Sequence, residues 1–354
     1  MKKKIAVIYG GKSPEHEVSC DSAVSIINEF RSAGHEIIPV YISRSGRWLV
    51  QEPSHAPAED GTELFPSFAG ECFFTSAGEK IMPDVLFPII HGTTGEDGIL
   101  QGVLEMTGLP YAGSGVAASA AGMNKAVSKQ LAAAAGINVL PHVIITVSDE
   151  KNAAEKIKEA AKLGFPLFVK PVSQGSSVGI TKVQKMEDIE PAVKNALRFD
   201  SSVMIEKGID FAREMVCGVL GSIYDCKASP VGEVCVQGKH EFYDYEAKYL
   251  DNDGMKLVIP APLDKEQEEY IKSSAVKIFR ALGCSGFSRV DFFVDRKSRE
   301  TWFGEINTAP GFTSHSLYPS LWKKAGMPVK DVLEKLVEIA VEDKASKRKL
   351  EIRR

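Results

Sequence analysis

Residues 287–307 read FSRVDFFVDRKSRETWFGEIN, and this stretch decides how the last third of the chain folds. Two apolar runs on either side of a polar turn predict a β-hairpin. Because side chains alternate between the faces of a strand, Arg289 and Asp291 share one face, and Glu305 and Asn307 likewise. Carboxylate and amide oxygens suit Mg²⁺ that bridges substrate phosphates, so we predict a magnesium site. The alternative is a surface hairpin with cross-strand ion pairs, but charges inside apolar strands are costly without a partner.

A second stretch, residues 165–183, reads FPLFVKPVSQGSSVGITKV. A strand that ends on Lys170, a loop of glycines and serines and a return strand predict a hairpin that covers phosphate groups. Glycines allow close backbone approach, and N–H and hydroxyl groups donate to phosphate oxygens. The loop lacks the spacing of a Walker A motif, and so does GGKS at residues 10–13. Alone the loop is weak evidence for phosphate binding, and together with a magnesium site it is much stronger evidence.

Three further polar segments could carry chemistry. HGTTGEDG at residues 91–98 directly follows the apolar run 84–90, and active sites of open α/β sheets lie at such strand ends. Its histidine either has a functional role or satisfies the turn backbone. In SPEHEVS at residues 13–19, the glutamates either complement a helix dipole or receive a substrate ammonium. FYDYEAKY at residues 242–249 is typical of a lid over an active site.

Composition excludes several classes of protein. The chain has 354 residues, with 43 basic and 47 acidic side chains and a net charge of −4. This length predicts two or three domains, and the near-neutral balance argues against nucleic-acid binding. No run approaches 18 apolar residues, and the apolar stretch after Lys2, Lys3 and Lys4 is too short for a signal peptide. We expect a cytoplasmic protein that binds neither nucleic acid nor membrane.

Six cysteines occur without a C-x-x-C pair. Cys217, Cys226 and Cys235 recur every nine residues, which could indicate a soft-metal site. Their neighbours are apolar and no histidine lies beside them. We therefore predict buried strand cysteines.

The pattern of apolar residues predicts a mixed α/β protein. Strand-like runs lie at residues 4–9, 36–42, 84–90, 165–170, 202–206, 214–220, 230–236 and 286–294. Helical patterning covers residues 19–33, 115–135, 149–163 and 264–282, with Ser19 as a helix N-cap. The strand–helix–strand order at the N-terminus predicts a parallel α/β unit. Residues 51–80 are rich in Pro, Gly, Ser and Thr without clear periodicity, and we expect a variable surface excursion there.

Taken in order, these segments resemble the D-alanine–D-alanine ligases, enzymes of bacterial cell-wall synthesis with the ATP-grasp fold. The resemblance covers essentially the whole chain and rests on the following segments: GGKSPEHEVS, HGTTGEDGILQG, KPVSQGSSVG, FYDYEAKY, RVD, EINTAPG and FTSHSLYP. It implies an N-terminal parallel α/β lobe and two further lobes that clamp ATP between antiparallel sheets. The implied boundaries are 1–113, 114–206 and 207–354.

The resemblance also implies residue roles. The matching catalytic residues are Glu15, Ser176, Tyr249, Arg289, Gly311 and Ser316. Those that match substrate-binding positions are His91, Ser316 and Leu317. Those that match ATP-binding positions are Lys125, Phe168, Lys170, Ser176, Ser177, Glu206, Lys207, Ile209, Glu214, Phe242 and Lys248. The matching metal ligands are Asp291, Glu305 and Asn307.

The implied activity is ATP-dependent ligation of two D-alanines through an acyl phosphate, for peptidoglycan precursor synthesis. The implied cofactors are ATP and Mg²⁺, with two ions per site and Mn²⁺ able to substitute, and the implied assembly is a homodimer. Asn124, Gln174 and Gly304 depart from the usual pattern without removing a ligand.

Three alternatives remain: a D-alanine–D-serine ligase of the vancomycin-resistance type, another ATP-grasp carboxylate–amine ligase, and a non-catalytic nucleotide-binding module. Serine-selecting members typically place an arginine where this chain has Leu317, which favours D-alanine. Members that form depsipeptides lack the lid tyrosine, which is present here as Tyr249.

Overall fold

The computed structural model describes residues 2–149, 152–236, 255–313, 315–347 and 349, which form three β-sheets with helices packed against them. Each sheet comes from a separate part of the chain, and the sheets follow one another in sequence order. Within these ranges no helix is both long and apolar enough to cross a membrane.

The first sheet has seven strands in the order β6-β5-β4-β3-β2-β1-β7. Its strands are β1 (Lys4–Gly10), β2 (Glu36–Ile42), β3 (Trp48–Val50), β4 (Thr62–Pro66), β5 (Phe73–Thr75), β6 (Lys80–Ile81) and β7 (Val85–Pro88). Its helices are α1 (His16–Ser32) and α2 (Ile99–Thr107). Strand β1 pairs in parallel with β2 and with β7, which confirms the predicted parallel α/β unit. Almost every residue of β1 is buried, as expected when both faces of a parallel sheet are covered.

The structure differs from the sequence analysis at two places in this region. Residues 51–80, in which no periodicity was clear, contain the short antiparallel strands β4, β5 and part of β6. Leu64 and Phe73 are buried while their neighbours Phe65 and Phe74 are exposed, an alternation that the surrounding Pro, Gly and Ser obscure. Ser19 is not a helix cap, because α1 begins one turn earlier. Its hydroxyl donates to the Ile89 carbonyl instead, at 2.6 Å.

The second sheet is antiparallel, with strands in the order β10-β9-β11-β8. Its strands are β8 (His142–Thr146), β9 (Leu167–Pro171), β10 (Thr181–Val183) and β11 (Ser202–Lys207). The helices of this region are α3 (Val116–Met123), α4 (Lys125–Ala134), α5 (Ala153–Ala161) and α6 (Ile189–Ala196). The pairing of β9 with β10 confirms the predicted hairpin around the Gly/Ser loop.

The predicted helix over residues 115–135 is two helices, because Asn124 takes an extended backbone conformation between α3 and α4. Its side chain accepts a hydrogen bond of 3.0 Å from the Val127 amide and so caps α4.

The third sheet has six strands, with the path β15-β14-β12-β16-β17 and β13 beside β12. Its strands are β12 (Arg213–Gly221), β13 (Cys226–Ala228), β14 (Gly232–Val236), β15 (Met255–Val258), β16 (Gly286–Val294) and β17 (Thr301–Asn307). The helices here are α7 (Lys265–Ala281), α8 (Leu317–Lys324) and α9 (Val329–Lys347). Strands β16 and β17 form the predicted hairpin.

The strand cysteines differ in burial. Cys217 is fully buried in β12, and its burial raises the pKa of the thiol to about 12. Cys226 and Cys235 are only half-buried, so the prediction of buried cysteines is confirmed for one of the three.

One apolar cluster joins the first sheet to the last helices. Ile5, Val7 and Tyr9 of β1 belong to the same buried cluster as Leu333 and Leu336 of α9. The buried face of α9 therefore stabilises the N-terminal sheet as well as the C-terminal region.

We expect Leu336→Ala to destabilise the protein by about 2–5 kcal/mol, because Leu336 is fully buried and its truncation leaves a cavity. Thermal or urea unfolding of purified protein measures the loss. Lys335→Ala on the exposed side of the same helix is the control, since its ion pair with Glu338 is exposed and contributes little. Equal stability of the two variants would contradict the assignment of α9 to the shared core.

Candidate active site

A cavity of about 710 Å³ is lined by residues from the regions of all three sheets. The predicted site residues that line it are Glu15, His91, Lys125, Ser176, Arg289, Glu305, Asn307, Gly311, Ser316 and Leu317. Those that lie outside its lining are Phe168, Lys170, Ser177, Glu206, Lys207, Ile209, Glu214 and Asp291. Phe242, Lys248 and Tyr249, with the rest of the predicted lid 242–249, lie outside the described residues.

The Gly/Ser loop touches the start of α1. The Ser176 hydroxyl donates a short hydrogen bond to the Glu15 carboxylate. Ser176 and Ser177 both have positive φ, 49° and 60°, a conformation that costs free energy in non-glycine residues and often accompanies function. Gly92 has a φ of +74°, a conformation that L side chains rarely adopt, and a Cβ there would lie 2.7 Å from a Glu15 carboxylate oxygen. The Glu15 carboxylate and the Ser176 hydroxyl thus meet in the lining of the cavity.

His91 is held beside a buried carboxylate. Its Nδ1 lies 3.0 Å from the Ala309 carbonyl oxygen and 3.6 Å from Glu96, and its Nε2 lies 3.1 Å from the Ser22 hydroxyl. Burial lowers the pKa of His91, but Glu96, Glu15 and the Ala309 carbonyl together more than compensate, so the pKa is raised. Burial also raises the pKa of Glu96. The ring is therefore fixed by groups outside its own turn while it lines the cavity.

The hairpin of β16 and β17 aligns the four polar residues predicted from the alternation. Asp291 lies directly opposite Glu305, and Arg289 lies directly opposite Asn307. Arg289 donates two hydrogen bonds of 2.8 Å to the Asp291 carboxylate. The face therefore offers two carboxylates and an amide, beside one guanidinium.

This donor set fits a divalent metal. Carboxylate and amide oxygens are hard ligands, and two carboxylates opposite each other repel unless a cation lies between or beside them. In the described part of the chain, no three His, Cys, Asp or Glu side chains cluster as metal ligands, so the set depends on the amide of Asn307.

A β-bulge sets the register that brings the two carboxylates together. Asp291 pairs with Glu305 while Phe292 pairs with Phe303, which leaves Gly304 as the extra residue. The bulge turns Phe303 into the core beside Phe292 although Glu305 faces the cavity. A Cβ on Gly304 would lie 3.0 Å from the Asp291 carbonyl oxygen, so a bulkier residue is disfavoured here.

Lys125 links the loop to the acidic face. Its Nζ donates to the Gln174 carbonyl oxygen at 2.5 Å and lies 3.6 Å from a Glu305 carboxylate oxygen. The side chain of Gln174 donates to the Phe199 carbonyl at 2.9 Å. Asn124, which departs from the usual family pattern, keeps a capping role: its amide oxygen caps α4, as an aspartate carboxylate would.

Behind the cavity lies a buried carboxylate between two lysines. Glu206 of β11 accepts from Lys170 of β9 at 2.5 Å and lies 2.6 Å from the ammonium of Lys129 in α4. Burial raises the pKa of Glu206, but the two lysines more than offset it, so its pKa is lowered. Burial lowers the pKa of Lys129, against the opposing effect of Glu206. Sequence reasoning missed Lys129, although its position one helical turn after Lys125 was a signal.

Glu206, Lys207 and Ile209, which the family resemblance matches to the segment at the adenine edge of ATP, lie where β11 ends and the chain turns toward β12. Lys207 is the last residue of β11, and its Nζ donates to the Phe165 carbonyl at 2.8 Å. Phe168 lies opposite Glu206 across the β9–β11 pair, and Glu214 pairs with Val234 in the third sheet. The residues predicted to bind ATP thus lie on both the second and the third sheet.

The start of α8 forms another wall of the cavity. The Ser316 hydroxyl accepts from the Thr313 amide at 3.0 Å. A Cβ on Gly311 would lie 2.9 Å from that hydroxyl oxygen, so the absence of a side chain keeps the backbone close to Ser316. Leu317 packs against Val216 in an apolar cluster and still lines the cavity. This wall is apolar at Leu317 and polar at Ser316.

Comparison with known proteins agrees with this geometry. The family model for the D-ala D-ala ligase N-terminus matches residues 4–114, and that for the C-terminus matches residues 131–338. The chain belongs to the D-alanine–D-alanine ligase family. It is therefore an ATP-dependent ligase with the ATP-grasp fold, which confirms the resemblance seen in the sequence.

Individual relatives cover nearly the whole chain. The D-alanine–D-alanine ligase A of Bradyrhizobium diazoefficiens is 43% identical over 99% of this ligase and 98% of its own length. The D-alanine–D-alanine ligase A of Escherichia coli is 39% identical over 98% of this chain and 97% of its own length.

Among solved structures, the VanG D-Ala:D-Ser ligase of Enterococcus faecalis superposes with a TM-score of 0.85 at 38% identity, covering 96% of this chain and 100% of that one. The D-alanine–D-alanine ligase of Coxiella burnetii superposes with a TM-score of 0.84 at 32% identity, covering 98% of both chains.

Proposed function

We propose that this ligase joins two D-alanines into D-alanyl-D-alanine, with ATP as the energy source and an acyl phosphate as the intermediate, for peptidoglycan precursor synthesis. One observation carries the proposal. A single cavity is lined at one end by Glu15 and Ser176 and at another by Arg289, Glu305 and Asn307. An ammonium-binding carboxylate and a phosphate-binding face therefore share one space, as ligation of an amino acid through phosphorylation requires.

In the first step the carboxylate of the first D-alanine takes the γ-phosphoryl group, and the bond between that group and ADP breaks. Glu15 binds the ammonium of this D-alanine, and the Ser176 hydroxyl keeps the Glu15 carboxylate in place. Lys125 and Lys170 compensate the negative charge of the phosphates. Phosphoryl transfer needs little covalent help from the protein, so position and charge account for most of the acceleration.

We propose that Asp291, Glu305 and Asn307 hold Mg²⁺, with two ions bound and Mn²⁺ able to substitute. The ions neutralise phosphate oxygens when they are present. Support comes from the opposed carboxylates of β16 and β17, which need a positive partner. Arg289 supplies part of that charge through its two hydrogen bonds to Asp291.

In the second step the amine of the second D-alanine attacks the acyl carbon and the C–N bond forms. The bond from that carbon to the phosphate oxygen breaks, and inorganic phosphate leaves with the proton that the amine loses. Arg289 and the backbone N–H of Gly311 stabilise the negative oxygen that develops on the attacked carbon. His91 and Ser316 orient the incoming amino acid. Water must be excluded because it would hydrolyse the acyl phosphate. This is the role predicted for residues 242–249.

The choice of D-alanine over D-serine as the second substrate rests on Leu317. A buried serine hydroxyl requires a polar partner, and the Leu317 side chain offers none. The packing of Leu317 against Val216 and Leu321 holds the side chain in an apolar cluster. Similarity to the VanG D-Ala:D-Ser ligase makes D-alanyl-D-serine the second candidate product.

We further propose that the chain acts in the cytoplasm as a homodimer and that its lobes span residues 1–113, 114–206 and 207–354. The sequence resemblance supports the dimer and the location. The separation of the three sheets along the chain supports the lobes.

We expect purified protein with ATP and Mg²⁺ to release phosphate when D-alanine is added, and to yield D-alanyl-D-alanine. Colorimetric phosphate detection with chromatography of the products measures both. Parallel reactions with D-alanine plus D-serine and with D-alanine plus D-lactate compare the three products. If no mixture stimulates phosphate release, the ligase proposal is wrong.

Glu305→Ala should reduce turnover by at least about a thousandfold at every Mg²⁺ concentration, because one of the two carboxylates of the metal set is lost. Steady-state phosphate release over a Mg²⁺ series measures the effect. Glu300→Ala, in the exposed turn of the same hairpin, should behave like the wild type. Robust turnover by Glu305→Ala would show that Glu305 is not a metal ligand and that the metal binds at another place.

Leu317→Arg should raise the fraction of D-alanyl-D-serine by about tenfold in competition between the two amino acids, because a guanidinium can bind the serine hydroxyl. Chromatography of products from equimolar D-alanine and D-serine gives the ratio. Leu317→Met keeps the apolar wall and should leave the ratio near that of the wild type. An unchanged ratio in Leu317→Arg would argue against Leu317 as part of the second substrate pocket.

A further inference from the structure

A lysine that has no place in the proposed reaction lies fully buried behind the cavity. Lys129 projects from α4, and its side chain has no exposed surface. Its Nζ lies 2.6 Å from one carboxylate oxygen of Glu206, while the other oxygen accepts from Lys170 at 2.5 Å. Glu206 is 2% exposed, so this Lys–Glu–Lys triad is shielded from water.

Burying three charges is expensive, and only close pairing can compensate the cost. Glu206 and Lys170 lie on the adjacent strands β11 and β9 of the second sheet, and Lys129 approaches them from α4, in a buried place where apolar residues would ordinarily be found. A structural ion pair would need only one lysine for the carboxylate. The second lysine therefore calls for an explanation in terms of charge.

The charge balance supplies that explanation. If Glu206 faced Lys170 alone, the pair would be neutral, and the positive charge of Lys170 would be cancelled before any anion arrived. With Lys129 present, the three groups sum to +1. One unit of positive charge then remains available to a phosphate, while Glu206 still fixes the position of Lys170.

Lys129 also contacts the strand that carries the predicted metal ligands. Its Nζ donates to the Phe303 carbonyl at 3.0 Å and lies 5.5 Å from the centre of the Phe303 ring. Phe303 belongs to β17, next to the bulge residue Gly304. The same ammonium thus bonds to the second sheet and to the third sheet, whose residues together form the predicted nucleotide site.

We propose that Lys129 is a positioning residue for the nucleotide: it neutralises Glu206, so that Glu206 can orient Lys170 without cancelling the charge that Lys170 presents to phosphate. The inference rests on the proposed function, in which Lys170 contacts phosphate. Lys129 itself is too deeply buried to touch the nucleotide. Its effect is therefore electrostatic and should grow with the charge of the ligand.

The test is calorimetric titration of the full-length protein with two probes in the presence of Mg²⁺: AMP-PNP, which is not hydrolysed, and uncharged adenosine. Lys129→Met should weaken AMP-PNP binding by about tenfold or more, because one unit charge within about 10 Å exerts an effect of that size. Adenosine binding should change by less than about threefold. Lys156→Met is the control. It removes a lysine of α5 that forms an ion pair with Asp149, and it should bind both probes like the wild type.

The double variant Lys129→Met with Glu206→Gln decides between electrostatics and simple structural support. It restores the +1 charge and leaves an amide oxygen for Lys170. Because Glu206 also matches an ATP-binding position, the measured quantity is the ratio of AMP-PNP affinity to adenosine affinity, in which a lost adenine contact cancels. This ratio should return to within about threefold of the wild-type ratio. It also avoids an uncompensated buried carboxylate, so it remains informative if the single variant does not fold.

Three results would overturn the inference: wild-type affinity for AMP-PNP in Lys129→Met, equal losses for both probes in that variant, or a folded double variant whose ratio of AMP-PNP to adenosine affinity stays at the Lys129→Met value. A wild-type protein that binds neither probe would instead overturn the proposed function.

Discussion

Two carboxylates face each other across the hairpin of β16 and β17. Their negative charges repel, and much of the site places positive charge where it reduces this repulsion. Asp291 and Glu305 are opposite partners in adjacent strands, where like charges are destabilising. Arg289 forms a two-pronged ion pair with Asp291, and the Lys125 ammonium lies 3.6 Å from Glu305. The cations come from different parts of the chain, the same strand in one case and the start of α4 in the other. The acidic pair therefore fixes where neighbouring elements must place positive charge.

This arrangement is rigid because the N-terminal sheet and the C-terminal helices share one apolar core. Residues of β1 and of α9 belong to one buried cluster, although they lie at opposite ends of the sequence. His35 adds a hydrogen bond of 2.7 Å to Glu334 across the same junction. As a result the wall that carries Glu15 cannot shift relative to the start of α8 without exposing apolar surface. The hydrogen bond from Ser176 to Glu15 then joins the Gly/Ser loop to this wall.

Much of this was accessible from the sequence because it depends on local periodicity. The face shared by Arg289 and Asp291, the hairpin around the Gly/Ser loop and the parallel N-terminal unit all follow from the spacing of residues along a strand. The bulge at Gly304 was not accessible, since two-residue alternation places Phe303 on the side of Glu305, whereas the structure turns it into the core. Lys129 was missed because its partner Glu206 is distant in sequence. The break at Asn124 was missed because high helix propensity on both sides concealed the cap.

The net charge of −4 says little about a site in which almost every cation already has an anion. Arg289 bonds to Asp291, Lys170 bonds to Glu206 and Lys125 lies near Glu305. An anionic substrate can draw on Arg289 or Lys125 only if their carboxylate partners acquire another positive neighbour, because an abandoned, partly buried carboxylate is costly. At Glu206 the chain meets this requirement itself, with the second lysine Lys129. At Asp291 and Glu305 the proposed Mg²⁺ would supply that charge, because two opposed carboxylates and the Asn307 amide on one face are hard oxygen ligands.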